Sequence, residues 1–166
     1  GTLVFAAQYQ DPPAKNRLPH STIIYSKDHG KTWQVGTGAF DDTTEAQVVE
    51  ISPGVLMLNC RYNRQSHRVV MITRDMGATW QAHPTARKAL GEPRACMASL
   101  IRVDRELESR TGRRLLFSNP DGASGRHHMS IKASIDNGTT WPTGRKLRLD
   151  EGPGAGYSCM TLIDPQ

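Results

Sequence analysis

The chain has 166 residues, 37% of them hydrophobic, and a formal net charge of +5. That length can bury a core of ordinary domain size, and no run approaches the ~18 apolar residues of a membrane-spanning helix. Lys and Arg are scattered among Asp and Glu rather than clustered, which excludes a nucleic-acid footprint and leaves a basic excess suited to a small anionic ligand.

In chain order, the first apolar run is Leu3-Val-Phe-Ala-Ala, read as a strand, followed by strands over 21–26 and at Trp33-Gln-Val. Between the last two lies Ser26-Lys-Asp-His-Gly-Lys-Thr-Trp33. The same [ST]-x-D-x-G-x-T-W form returns at Thr73-Arg-Asp-Met-Gly-Ala-Thr-Trp80 and at Ser134-Ile-Asp-Asn-Gly-Thr-Thr-Trp141. In each copy the Asp carboxylate can accept from backbone N–H groups ahead of it and the Gly supplies φ > 0, so each is a tight turn between strands. Copies spaced one four-stranded sheet apart mark the blades of a propeller.

With strands A to D counted outward from the axis, residues 2–40 supply B, C and D of a first, partial blade. Residues 45–84 form a second blade, with A at 47–51, B at 55–60, C at 68–73 and D at 79–82, and Ser52-Pro-Gly turning A into B. Residues 95–150 form a third, with A at 97–103, B at 114–118, C at 128–133 and D from Trp141 to Leu149. The polar stretch Asp104 to Gly112 is its A–B loop. Glu92-Pro and Gly152-Pro-Gly join blades, and a fourth blade starts within 156–166, its A strand beginning at Tyr157. The strands are apolar or alternating and rich in β-branched residues. Cys60, Cys96 and Cys159 lie in apolar runs without metal-ligand spacing and are expected as small buried hydrophobes. The expected fold class is all-β, a β-propeller with about three blades present; since closed propellers use roughly four to eight blades, the segment is expected to be a slice of a larger protein.

Strand parity then locates the chemistry. In an up-and-down blade the A–B and C–D turns share one end, so the repeated Asp turns are all at that end and Asp28, Asp75 and Asp136 are structural. A site near the axis is built at the other end, from B–C loops and the linkers entering A. Glu45, Arg61, Arg126 and Tyr157 fall there. Two guanidiniums from adjacent blades make a receptor for a carboxylate, and a Glu beside a Tyr can take the phenol proton and activate it as a nucleophile. Alternatives stay open at this level: Asp41, Asp42 and Glu50 compete with Glu45, His127, His128 and Arg113 crowd Arg126, Arg61 could be a surface loop residue, and Tyr157 could be a core tyrosine. His127 and His128, adjacent on a strand, point to opposite faces and make a poor metal pair.

The repeated turn resembles the Asp box, or BNR repeat, of the sialidases (exo-α-sialidases, neuraminidases). More specific are Thr44-Glu-Ala-Gln-Val-Val-Glu followed by Leu58-Asn-Cys-Arg61, with the arginine 16 positions after Glu45, and Phe117-Ser-Asn-Pro-Asp followed by Arg126. Gly152-Pro-Gly-Ala-Gly-Tyr157-Ser resembles the family's nucleophile segment. The resemblance implies a six-bladed propeller and a retaining glycoside hydrolase releasing terminal sialic acid from glycoproteins, glycolipids and oligosaccharides. Tyr157 would be the nucleophile, Glu45 its base, and Arg61 and Arg126 two of three arginines gripping the substrate carboxylate. A phenol suits an anomeric carbon that bears its own carboxylate, which is why sialidases depart from the two-carboxylate scheme. The resemblance implies no cofactor and no metal, and a secreted, periplasmic or cell-surface setting. The family's Phe-Arg-Ile-Pro segment and its Asp general acid are not in this sequence, so the segment alone is expected to be inactive. A non-catalytic Asp-box propeller that binds carbohydrate or protein, and a trans-sialidase, are the rival readings.

Overall fold

The computed structural model describes residues 1–91, 96–104, 113–122, 125–154 and 156–163. It consists of three antiparallel four-stranded sheets, with no α-helix among the described residues. The first contains β1 (Leu3–Gln10), β2 (Pro19–Ser26), β3 (Gln34–Val35) and β4 (Phe40–Asp41). The second runs in order β5 (Thr43–Ser52), β6 (Val55–Tyr62), β7 (Val69–Thr73) and β8 (Gln81–Ala82). The third runs in order β9 (Ser99–Asp104), β10 (Arg113–Pro120), β11 (Met129–Ser134) and β12 (Lys146–Arg148). The innermost strand of the middle sheet, β5, packs against both β1 and β9, so the sheets stand side by side as propeller blades.

Alternation along the middle blade explains why its sequence reads as near-continuous apolar runs. Leu56, Leu58, Cys60, Val69 and Met71 turn toward the first sheet and meet Ile23. Met57, Val70 and Ile72 turn the other way and meet Leu100, Leu115 and Phe117 of the third. A strand buried on both faces has no place for alternating polar residues. In β1, Val4 and Ala6 pack inward while Leu3 and Phe5 stand on the exposed outer face.

The three Asp turns share the same bonds around the Asp carboxylate. In the first, Ser26 Oγ donates to Asp28 Oδ1 at 2.8 Å, Thr32 N to the same oxygen at 2.9 Å, and Thr32 Oγ1 to Asp28 Oδ2 at 2.6 Å. The same bonds recur at Asp75 and Asp136. The threonine hydroxyl and amide hold the Asp28 and Asp75 carboxyls down at about 2; at Asp136 burial pushes the other way, and the Ser134 and Thr140 bonds outweigh it to reach about 2 as well. Gly30, Gly77 and Gly138 have φ of 89°, 82° and 81°, and the residue before each is left-handed too, at 58°, 57° and 56°.

Several expectations need correction. The D strands are short: β12 is limited to Lys146–Arg148 because Pro142 cannot donate and a 3-10 turn occupies Thr143–Arg145. The A strand of the middle blade starts at Thr43, which places Glu45 inside a strand rather than in a linker. Residues 157–163 form no ladder; Met160 N donates to the Ser99 side chain and Ser158 Oγ to Ser118 O, so the segment is pinned to blade three by side-chain bonds. Cys159 on that segment is exposed, unlike Cys60 and Cys96, which are buried. The loop over 105–112 and the connection at Glu92-Pro lie outside the described residues.

Candidate active site

Glu45 owes its direction to a break in register. Thr44 pairs with Arg61 and Gln47 with Asn59, so Glu45 and Ala46 together oppose Cys60 alone, a β-bulge. A bulge bends its strand and re-aims a side chain, and here Glu45 has a φ of 32°. Its carboxylate meets Arg61 from the neighbouring strand, with Arg61 Nη1 to Glu45 Oε2 at 2.5 Å. Tyr157 OH donates to the other oxygen, Glu45 Oε1, at 2.9 Å, and the same Arg61 Nη1 donates to Tyr157 OH at 3.2 Å. Three residues from distant parts of the chain thus close a triangle. Arg126 completes the group, its guanidinium carbon 5.2 Å from the centre of the Tyr157 ring. Burial works against the Arg61 charge, but the Glu45 and Tyr157 bonds outweigh it and raise its pKa. Arg61 Nε is buried without a hydrogen-bond partner among the described residues.

Tyr157 has φ = 64°, a left-handed conformation rare outside glycine. Gly156 before it is left-handed as well, at 74°, and a Cβ there would lie 2.5 Å from Cys96 Sγ and 3.1 Å from Pro120 Cγ. Backbone held this far from its preferred region persists only where the surroundings over-determine it, and such residues cluster at functional sites. Gly154 N donates to Arg126 O at 2.8 Å, which joins the Tyr157 approach to the loop carrying Arg126.

The BNR repeat-like domain family matches residues 1–164. The chain belongs to this family. A sialidase of Bacteroides fragilis (strain YCH46) is 49% identical over 166 residues, all of this chain and 30% of that protein. The solved structure of the Hadza microbial sialidase Hz136 is 55% identical, with a TM-score of 0.90 over 99% of this chain and 31% of its own. Trypanosoma rangeli sialidase in complex with sialic acid is 26% identical, with a TM-score of 0.66 over 82% of this chain and 22% of its own. The chain therefore spans about a third of the first two relatives, and its three sheets are part of a sialidase-type β-propeller.

The three acids of this BNR-repeat chain that compete with Glu45 in the sequence are engaged elsewhere. Asp42 takes Asn63 Nδ2 at 3.0 Å and Arg64 Nε at 2.7 Å, and the Arg64 bond holds its carboxyl below the usual range. Asp41 lies 3.4 Å from His20. Glu50 accepts from Gly54 N at 2.9 Å and pairs with Arg102 at the opposite end of β5, roughly 17 Å along the strand from Glu45. A cleft of about 570 Å³ lies at that opposite end, lined by Val4, Val48, Glu50, Gly54 and Met76, away from the Tyr157 triangle. Among the described residues no group of three or more His, Cys, Asp or Glu could hold a metal ion.

Two residues beside the triangle went unnoticed in the sequence. Gln8 on β1 accepts from Glu45 N through Oε1 at 2.9 Å. Arg68 is fully buried. It donates to Asn59 Oδ1 at 2.7 Å, Asn59 O at 3.1 Å, Cys96 O at 2.7 Å and Glu45 O at 3.4 Å. An arginine opening the run Arg68-Val-Val-Met-Ile, whose strand is buried on both faces, was the available signal: a charge in such a place requires a full set of acceptors. Gln8, one polar residue at the end of a half-exposed strand, carries no such mark.

Proposed function

We propose that this chain carries the base, the nucleophile and two carboxylate-binding arginines of an exo-α-sialidase acting on terminal sialic acid of glycoconjugates. The observation that carries the reading is the Tyr157 hydroxyl, 2.9 Å from one oxygen of Glu45 while Arg61 bridges both residues. A tyrosine so placed is a nucleophile with its base already bonded to the proton it must remove.

The steps follow from that geometry. The substrate carboxylate pairs with the guanidiniums of Arg61 and Arg126, which sets the anomeric carbon beside Tyr157 OH. Glu45 takes the phenol proton, the phenolate oxygen bonds to the anomeric carbon, and the bond to the aglycone oxygen breaks. That oxygen leaves with a proton from an acid that these four residues do not include. Water then attacks the anomeric carbon of the glycosyl-tyrosine, giving its proton to the conjugate base of that same acid, the sugar leaves with retention, and the phenolate regains its proton from Glu45. A neutral nucleophile approaches a carbon already bearing a carboxylate with less repulsion than an aspartate or glutamate would. The binding of sialic acid by the structurally similar trypanosomal enzyme supports the substrate class. A non-catalytic scaffold needs no Tyr–Glu–Arg triangle, which favours the enzymatic reading over a purely binding one.

The test is Tyr157→Phe in the full-length protein with a fluorogenic sialoside. The expected loss in kcat is at least about 10²-fold with an unchanged melting temperature; near-normal turnover refutes the nucleophile assignment. Product analysis with a galactoside acceptor separates hydrolysis from transfer.

A further inference from the structure

Glu45 must hold its carboxylate on Tyr157 from a backbone that is both bulged and left-handed, with a φ of 32°. Nothing in the local sequence Thr44-Glu45-Ala46-Gln47 favours that conformation, since glycine is absent. Both faces of the Glu45 residue are nevertheless tied down by side chains from other strands. Gln8, on the first blade, accepts from its N–H at 2.9 Å. Arg68, which immediately precedes β7 in Glu45's own blade, donates to its carbonyl at 3.4 Å.

We propose that Gln8 and Arg68 are positioning residues which together hold the Glu45 peptide in the bulged conformation that aims its carboxylate at Tyr157. The inference rests on the functional reading above.

Arg68 extends the clamp to the nucleophile. Its Nη1 donates to Cys96 O at 2.7 Å, and Cys96 is the residue whose sulfur faces the Cα of Gly156, immediately before Tyr157. One guanidinium therefore contacts the backbone of the base and the support of the nucleophile. Its orientation is fixed by Asn59, which accepts at Oδ1 from Nε at 2.7 Å and at its carbonyl from Nη2 at 3.1 Å, and by Phe117, whose ring centre lies 5.9 Å from Cζ. A planar fork of donors can serve several acceptors spread across two blades; a lysine ammonium, a point donor, cannot. Complete burial matters as well, because neither end of this strut can be replaced by water without opening the interface between blades.

The experiment uses the full-length protein in four variants, Gln8→Leu, Arg68→Lys, Glu45→Gln and Tyr157→Phe, with kcat and KM measured on a fluorogenic sialoside and folding followed by thermal melting. Gln8→Leu and Arg68→Lys are expected to lower kcat by 10-fold or more while KM moves by less than about 3-fold, because a base displaced by a fraction of an ångström harms the chemical step and not the grip on the carboxylate. Wild-type kcat in a folded Gln8→Leu protein, or a rise in KM with kcat preserved, overturns the clamp. Should Arg68→Lys give no folded protein, the Gln8→Leu constants decide. Turnover retained by Glu45→Gln and Tyr157→Phe strikes the functional reading instead. Loss in those two with no change in the clamp variants strikes the clamp alone.

Discussion

Gly156→Ala would drive a methyl group into the packing that supports Tyr157. The new Cβ would stand 2.5 Å from Cys96 Sγ and 3.1 Å from Pro120 Cγ, on a backbone with φ = 74°. An ordinary carbon–sulfur contact needs roughly 1 Å more than this, and overpacking of that kind costs about 1–3 kcal/mol. The left-handed conformation adds about 1–2 kcal/mol for a residue with a Cβ. Cys96 is fully buried and cannot retreat, so part of the strain is relieved by moving Gly156 and with it Tyr157. A shift of about 1 Å stretches the 2.9 Å bond from Tyr157 to Glu45 beyond hydrogen-bonding range, and misplacement on that scale lowers kcat by about 10²-fold. The assay is steady-state hydrolysis of a fluorogenic sialoside by the full-length protein, with melting curves in parallel. Adding Cys96→Ala removes the sulfur but leaves the left-handed backbone, so the double variant should recover activity in part. A single variant with wild-type kcat, or a double variant no better than the single, would show that Gly156 does not set the position of Tyr157.

Phe117→Ala should destabilise the protein by about 3–5 kcal/mol, since this ring is fully buried between the second and third blades, against Trp141 and beneath Arg68 and Lys132; chemical denaturation of the full-length protein measures it. The Asp turns predict an acid limb to stability. Asp28, Asp75 and Asp136 titrate at about 2 when folded against an ordinary 3.8, so their contribution is complete above pH 3.8 and is lost as pH falls through about 2. Melting temperature against pH should drop across that window, and replacing all three by Asn should flatten the drop.

How far the sequence could be read depended on how local each feature is. An Asp turn is made almost entirely by its own eight residues: the hydroxyl two positions before the Asp, the amide and hydroxyl four after it, and the Gly between. The pattern is therefore written contiguously and can be counted. Strand parity follows from the count and puts Glu45, Arg61, Arg126 and Tyr157 at one end, where the structure brings them into contact. The expected fourth-blade strand at Tyr157 was less secure, because a strand is defined by its neighbour, and residues 157–163 hold on to blade three by side-chain bonds instead.

By itself the sequence determined the kind of structure and the residue types gathered at the candidate site, since turn chemistry, apolar runs and strand alternation are properties of short stretches of chain. Only the tertiary structure decided which of several acids faces Tyr157. That choice is made by a two-against-one bulge opposite Cys60, stabilised by Gln8 from 37 residues upstream and Arg68 from 23 downstream, and by a left-handed Tyr157 fitted against Cys96. Conformations that a segment would not adopt alone are dictated by partners on other strands and other blades, and those partners come together only when the sheets form and the blades pack.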